Sequence, residues 1–251
     1  MQLGREFQIL KLALQFLTRL PVHATYDPQA MALAPRYFGV VGALIGAVGA
    51  GVLWLSAHGF GNLVACVLCL ICVVVLTGAL HEDGLADTAD GVGGGATPEA
   101  ALNIMRDSRI GAYGALALIA VFALRLAILF SVQSTSALAV AMLITAHAAS
   151  RGSMLVVMFS GEYLRTDGAG RDMRSAVDVT ALGINGATLM VLVALLLPFG
   201  AWLPALTGLV LGHVLARAFY QPKLNGYTGD CLGFVQQISE IGFCLGILAW
   251  L

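Results

Sequence analysis

The sequence predicts an all-α, polytopic integral membrane protein: a helical bundle of about seven transmembrane helices with an N-terminal interfacial helix. The chain is 59% hydrophobic and only 11% charged, whereas soluble domains carry about 25% charged residues. Its mean hydropathy is +0.89, and it contains repeated apolar stretches close to the roughly 20 residues that cross a bilayer as a helix. We therefore expect one membrane-embedded domain over residues 1–251.

The first 22 residues, MQLGREFQILKLALQFLTRLPV, predict a helix that lies along the membrane surface. Gln8, Lys11, Gln15 and Thr18 recur at helical spacing, and Phe7, Leu10, Leu14 and Leu17 are expected on the opposite, apolar side. Internal charges and the lack of a small-residue cleavage site argue against a signal peptide. A short first membrane helix is the alternative.

Seven apolar stretches follow this segment, each long enough to span a bilayer. They lie near residues 37–57, 61–80, 113–131, 136–159, 181–198, 201–220 and 232–251.

The charges outside the spans predict the orientation. One set of loops, residues 1–36, 81–112, 160–180 and 221–231, holds the polar residues, while the opposite set contains no Lys, Arg, Asp or Glu. The positive-inside rule places the charged set in the cytoplasm. Its basic residues are Arg5, Lys11, Arg19, Arg36, Arg106, Arg109, Arg165, Arg171, Arg174 and Lys223.

Two patterns inside the spans are best explained by packing. Cys66, Cys69 and Cys72 form a C-x2-C-x2-C pattern among Val, Leu and Ile, where cysteine behaves as a small apolar residue. Gly42 and Gly46 have the small-residue spacing that lets helices approach closely. Packing within one chain explains the two glycines as well as dimerisation does.

The segment HEDGLADTADGVGGG, residues 81–95, interrupts the apolar pattern with four acids and no Lys or Arg. In a helix, Asp83, Asp87 and Asp90 share one face, and Glu82 lies beside them. Crowded carboxylates repel one another unless a cation neutralises them, and a hard divalent ion such as Mg²⁺ prefers oxygen ligands. We therefore predict that Glu82, Asp83, Asp87 and Asp90 bind Mg²⁺, with a solvated charged face as the alternative. The spacing fits neither a calcium loop nor a Walker loop.

Two further segments of the charged set supply candidate substrate-binding residues. RDSRIGAYG offers arginine forks suited to phosphate oxygens, and its glycines permit close approach of an anionic substrate such as a pyrophosphate. Membrane anchoring by these arginines is the alternative. In NGYTGDCLG, Asp230 is a further metal ligand or the base for a hydroxyl nucleophile. The residues chosen here are Arg106, Asp107, Ser108, Arg109, Gly111, Thr228, Gly229 and Asp230.

Several ionisable residues lie within the predicted spans. Placing such a residue in the bilayer costs free energy, so these residues usually face the bundle interior. His147 and Arg151 are four residues apart, as are His213 and Arg217, so each pair shares a helix face. Arg151 and Arg217 are expected to reach toward the substrate, with structural pairing as the alternative. For Arg125 structural pairing is favoured.

Four motifs together resemble one enzyme family. FLTRLPV, HEDGLADTADGVGGG, MRDSRIGAYG and GYTGDCLG, in this order along the chain, look like the cobalamin synthases, also called adenosylcobinamide-GDP ribazoletransferases. Glu82 departs from the family pattern, because many members carry an apolar residue there.

The resemblance implies the last assembly step of the coenzyme B12 nucleotide loop at the bacterial inner membrane. α-Ribazole or its 5′-phosphate attacks adenosylcobinamide-GDP, which gives adenosylcobalamin or its phosphate and releases GMP, with Mg²⁺ required. Asp83, Asp90 and Asp230 are then the candidate catalytic carboxylates. Expected partners are these substrates and the lipid bilayer, with a second copy or other cobalamin-assembly enzymes as further candidates; no nucleic-acid partner is expected.

The sequence leaves two alternatives to the ribazoletransferase function. A CDP-alcohol phosphotransferase also uses aspartates beginning D-G-x2-A, but the remaining acid spacing and the following arginine are absent here. An ion-coupled transporter places ionisable groups near the bilayer midplane. In this sequence every acid except Glu240 lies in the charged loops or at their edge.

Overall fold

A computed structural model of the protein describes residues 2–132, 136–165, 173 and 176–251. The helices are α1 (Gln2–Leu17), α2 (Pro28–Leu33), α3 (Phe38–Phe60), α4 (Asn62–Thr77), α5 (Leu80–Gly94), α6 (Pro98–Ile104), α7 (Ala112–Ser131), α8 (Ala137–Ser160), α9 (Val179–Leu196), α10 (Phe199–Leu224) and α11 (Gly229–Trp250). A short 3-10 turn, Ala34–Tyr37, joins α2 to α3. The all-α prediction is confirmed.

The helices have the length and composition of a multi-pass membrane protein. Within the described residues, six helical segments are long and apolar enough to cross a membrane: Pro28–Phe60, α7, α8, α9, α10 and α11. The pair α4 and α5 makes a seventh span if the two are counted together. The predicted polytopic bundle is therefore confirmed, with six or seven spans.

The predicted second span does not continue as a straight helix. Helix α4 ends at Thr77, and α5 leaves it at an angle of 89°. Gly78 has φ of 65° and its N–H donates to the carbonyls of Val74 and Val75, an ending that glycine favours. Ala79 also has a positive φ of 58°, which is rare for a residue with a side chain. This corner turns the acidic helix α5 out of the α4 direction.

Helix α5 packs mainly against α7 and α11, and α11 also packs against α8 and α10. Helix α3 packs against α4 and α8. A Cβ on Gly42 would overlap the carbonyl of His147, and one on Gly46 would overlap that of Leu143. The Gly42 and Gly46 pattern therefore serves contact within the chain, between α3 and α8.

The cysteine pattern also belongs to the packed interior. Cys66 and Cys69 are buried in the hydrophobic core, and Cys72 is partly buried.

Helix α1 is present, but its buried face differs from the predicted one. Ile9, Leu12, Ala13 and Leu17 are buried, because α1 packs against α2, the 3-10 turn and α3. Phe7, predicted on the apolar side of this helix, is 59% exposed. Only Leu17 of the four predicted apolar positions is fully buried, and the interfacial placement of α1 stays a prediction.

Candidate functional site

Helix α5 and the start of α11 are in direct backbone contact. A Cβ on Gly84 would lie 2.7 Å from the carbonyl oxygen of Asp230, and one on Gly233 would lie 3.0 Å from that of His81. Glycine at both positions lets the helices approach this closely. The acidic face of α5 is thereby held beside Asp230.

Asp83 and Asp87 form the open part of this carboxylate site. Asp83 is exposed and Asp87 half-buried, and neither forms a salt bridge with a described residue. Asp87 lies within electrostatic range of Asp83, Asp230 and Asp90 and also of the Arg165 guanidinium. The sequence prediction that these carboxylates come together is consistent with this arrangement.

Asp90 has a different environment. Its Oδ2 accepts a hydrogen bond from the N–H of Gly111 at 2.7 Å, and its Oδ1 accepts one from the N–H of Gly114 at 2.8 Å. A Cβ on either glycine would overlap the carboxylate. Asp90 therefore binds the otherwise unpaired N–H groups at the start of α7, where a negative charge is also stabilised by the helix dipole.

Glu82 faces the bundle interior instead of the open carboxylate face. Its Oε1 lies 3.5 Å from Nη1 of Arg125 and accepts a hydrogen bond from Nε2 of Gln237 at 3.1 Å. Asp83, the next residue, is exposed. The structure thus separates Glu82 from the three aspartates with which the sequence grouped it.

In the described part of the chain, no three His, Cys, Asp or Glu side chains are arranged as a preformed metal site. The donor chemistry nevertheless suits Mg²⁺, because Asp83, Asp87 and Asp230 offer hard carboxylate oxygens. Mg²⁺ is usually held by one or two carboxylates together with substrate phosphates. Magnesium binding therefore stays a prediction.

The arginine segment forms an exposed connection between α6 and α7. Nε and Nη2 of Arg109 donate to both carboxylate oxygens of Asp107 at 2.6–3.1 Å. These hydrogen bonds lower the pKa of Asp107 to about 2. The Arg109 side chain is 86% exposed, and Arg106 and Ser108 are exposed as well. Their contact with substrate stays a prediction.

Asp230 is held by Arg165, a residue that sequence reasoning did not select. Nη2 of Arg165 donates to Oδ2 of Asp230 at 2.6 Å and to the carbonyl of Met105 at 3.4 Å. Thr228 Oγ1 donates to the same carboxylate at 3.2 Å and accepts from the N–H of Cys231 as the α11 N-cap. Arg165 therefore links α11 to the end of α6. The one sequence feature that indicated a role for Arg165 is its position in the charged loop 160–180.

Lys223 fixes the far end of α5. Its Nζ donates to the carbonyls of Val92 at 2.5 Å and Gly95 at 2.7 Å. A helix leaves its last carbonyls without partners, and a cation there also complements the helix dipole. Lys223 thus connects α10 to the C-terminal end of α5.

A buried polar network lies behind α5. Glu240 accepts a hydrogen bond from Arg125, and its Oε2 lies 2.9 Å from Nδ1 of His147 and 3.8 Å from Nη1 of Arg151. Ser150 and Gln236 donate to the same oxygen. The predicted structural pairing of Arg125 is confirmed. Glu82, which the sequence places at the edge of the charged loops, also belongs to this network through Arg125.

Arg151 and Arg217 are not brought to the carboxylate site. Arg151 is 1% exposed and donates to the carbonyl of His147 at 3.1 Å. Arg217 donates to Ser160 Oγ at 2.9 Å on the outer side of the bundle. Both arginines thus have partners within the protein, as the structural alternative expects, and their substrate role stays a prediction. Arg171 and Arg174 lie outside the described residues.

Comparison with known proteins identifies the family. The family model described as cobalamin-5-phosphate synthase matches residues 9–248. An adenosylcobinamide-GDP ribazoletransferase of Ralstonia pickettii is 38% identical over 99% of this chain and 98% of its own length. A protein of the same name from Shewanella frigidimarina is 39% identical over 98% of this chain and 95% of its own length. Another from Leptothrix cholodnii is 38% identical over 97% of this chain and 96% of its own length. No solved structure matches. The chain therefore belongs to the cobalamin-5-phosphate synthase family and is a membrane-embedded transferase of cobalamin biosynthesis.

Proposed function

We propose that the carboxylate site between α5 and α11 transfers the adenosylcobinamide phosphate moiety of adenosylcobinamide-GDP to α-ribazole or its 5′-phosphate, with release of GMP. The relatives carry this activity in their name. The observation that carries the assignment to this site is the pair of open carboxylates, Asp83 and Asp87, held next to Asp230. Open carboxylates at a membrane surface suit a reaction between anionic phosphates and a divalent cation.

The bond changes follow from the substrates. A ribose hydroxyl oxygen of the ribazole attacks the phosphorus that bears the cobinamide. A new phosphorus–oxygen bond forms, the bond from that phosphorus to the bridging oxygen breaks, and GMP leaves with that oxygen. The hydroxyl proton passes to a carboxylate, for which Asp230 is positioned by Arg165 and Thr228. Most of the catalytic work in such a displacement is positioning and charge stabilisation.

Asp83 and Asp87 are the residues that would hold Mg²⁺, while Asp230 serves as the base. When bound, the ion would offset negative charge on the attacking and leaving oxygens of the displacement. Asp90 acts differently in this proposal, because its hydrogen bonds to Gly111 and Gly114 place the start of α7 against α5.

The exposed arginine segment suits the nucleotide end of the substrate. Arg106 and Arg109 lie at the α6–α7 connection, which Arg165 ties to Asp230 through the carbonyl of Met105. A phosphate that approaches this segment would compete with Asp107 for the planar fork of Arg109. The charge asymmetry of the loops supports a site that faces the cytoplasm from the bacterial inner membrane.

The test is a comparison of single carboxamide variants in purified protein, with GMP release as the readout. Asp83→Asn and Asp87→Asn should each lower turnover by about 100-fold, which corresponds to about 2.7 kcal/mol. The matched control is Glu99→Gln, an exposed acid in the first turn of α6, which should leave turnover within twofold. Near-normal turnover in Asp83→Asn and Asp87→Asn, with unchanged magnesium dependence, would refute the proposed site.

A further inference from the structure

A cavity of about 170 Å³ opens next to the carboxylate site. Asp83, Asp230 and Gly229 lie at its rim, where Asp83 and Gly229 are exposed. The opposite wall is apolar and is built from Phe16, Leu17, Phe38, Met154, Met158 and Met173. All of these except Phe16 are buried. Two further lining residues, His81 and Tyr163, carry polar atoms. The cavity is therefore acidic at its entrance and mainly apolar inside.

The lining favours a flat aromatic group over a polar one. Methionine side chains adapt to irregular shapes and make favourable contacts with aromatic rings. The rings of Phe16 and Phe38 lie parallel, 5.9 Å apart, and add an aromatic wall. Beyond His81 and Tyr163 the lining offers few hydrogen-bond partners. A group that carries several hydrogen-bond donors and acceptors would therefore lose most of its water contacts without replacement, which costs free energy.

We propose that this cavity binds the base of the ribazole substrate, an apolar dimethylbenzimidazole ring system, and so selects the acceptor nucleoside. The inference rests on the proposed function, because it assigns a part of that reaction's acceptor to this cavity. An apolar cavity of about 150 Å³ takes up a benzene ring. A cavity of 170 Å³ with an open rim accommodates one buried ring of a bicyclic base, while the second ring extends toward the entrance.

This placement orients the nucleoside for the reaction. With the base against Met154 and Met158, the attached ribose lies at the rim beside Asp83 and Asp230. The ribose hydroxyls then face the carboxylates that the transfer requires. Guanine, the base of the other substrate, carries polar groups along its edge and is rejected by the apolar wall for the reason given above.

The first experiment changes the substrate and leaves the protein intact. The KM of the purified wild-type protein is measured for α-ribazole and for the riboside of unsubstituted benzimidazole. Removal of two buried methyl groups should raise KM by about tenfold. Equal KM values for the two ribosides would overturn the proposal, because the methyl groups would then lie outside an apolar cavity.

The second experiment fills the cavity. Met158→Trp should raise KM for α-ribazole at least tenfold and leave KM for adenosylcobinamide-GDP within twofold. Met190→Trp, on α9 and 44% exposed, is the matched control and should change neither value. A parallel rise of both KM values, or no rise in either, would overturn the assignment.

Direct binding separates this inference from the proposed function. Equilibrium dialysis of α-ribazole against wild-type protein should show binding that Met158→Trp weakens at least tenfold and that excess guanosine does not displace. Binding without GMP release in the complete assay would refute the proposed reaction while supporting the cavity. A co-purifying lipid that α-ribazole fails to displace would overturn the cavity assignment.

Discussion

Replacement of Arg125 by leucine should destabilise the protein strongly. Arg125 is 8% exposed and pairs with Glu240 and with Glu82, whose Oε1 lies 3.5 Å from Nη1. In the Arg125→Leu variant, the network keeps two buried carboxylates, those of Glu82 and Glu240, and Arg151 is its remaining guanidinium. Nη1 of Arg151 lies 3.8 Å from Glu240. Removal of one partner from a buried ion pair typically costs about 3–5 kcal/mol, because the other charge stays buried without compensation.

The size of the effect can be expressed as a melting temperature. For chains of roughly this length, 1 kcal/mol corresponds to about 2–4 °C in Tm, so Arg125→Leu should lower Tm by about 6–20 °C. The assay is thermal unfolding of purified protein in detergent, followed by the fluorescence of Trp54, Trp202 and Trp250. Arg217→Leu is the control, since Arg217 lies on the outer side with one hydrogen bond to Ser160; its Tm should change by less than about 3 °C.

A double variant tests the electrostatic explanation. Arg125→Leu combined with Glu82→Gln removes one charge of each sign and leaves Glu240 with Arg151. Its Tm should be higher than that of Arg125→Leu alone, because sites in one network are not additive. A Tm of Arg125→Leu within 2 °C of wild type, or a double variant that is simply the sum of both losses, would refute the reasoning.

The remaining predictions concern the segments around the carboxylate site. Gly114→Ala should reduce turnover at least tenfold, because the added Cβ would overlap Asp90; unchanged GMP release would contradict the packing described. Lys223→Met should release the end of α5, and faster amide hydrogen exchange over residues 91–95 measures this against unchanged exchange in α9. Arg109→Lys keeps the charge but loses the planar fork, so KM for adenosylcobinamide-GDP should rise several-fold; an unchanged KM would leave Arg109 as a membrane anchor. A cysteine at Ser108 should react with a membrane-impermeant thiol reagent only after the inner membrane is opened, and labelling of intact spheroplasts would contradict the orientation.

The periodic features of the sequence were predictable. Long apolar stretches predicted the membrane bundle, and the spacing of Asp83, Asp87 and Asp90 predicted one shared face if the segment is helical, because both depend on local repeat lengths. The spacing of Gly42 and Gly46 predicted a close helix contact and left open whether it forms within the chain or between two copies; the structure places a contact within the chain, between α3 and α8.

Features that depend on contacts between distant segments were not predictable. The 89° corner after Thr77 requires Ala79 at positive φ, a conformation that no sequence rule assigns to alanine. Glu82 was grouped with the aspartates because it is adjacent in sequence, yet Arg125 and Gln237, on two other helices, hold it inside the bundle. The contact between Arg165 and Asp230 could not be predicted from local sequence, because the two residues are 65 positions apart.

The most direct test of the central claim measures GMP release as a function of Mg²⁺ concentration in wild-type protein and in Asp87→Asn. Both proteins receive adenosylcobinamide-GDP and α-ribazole after treatment with EDTA. The account predicts no release without added Mg²⁺, full recovery in wild type on its addition, and a much weaker response that needs far more Mg²⁺ in Asp87→Asn. Equal magnesium curves for the two proteins, or full release by wild type in EDTA, would contradict the claim that these carboxylates hold the metal for the transfer.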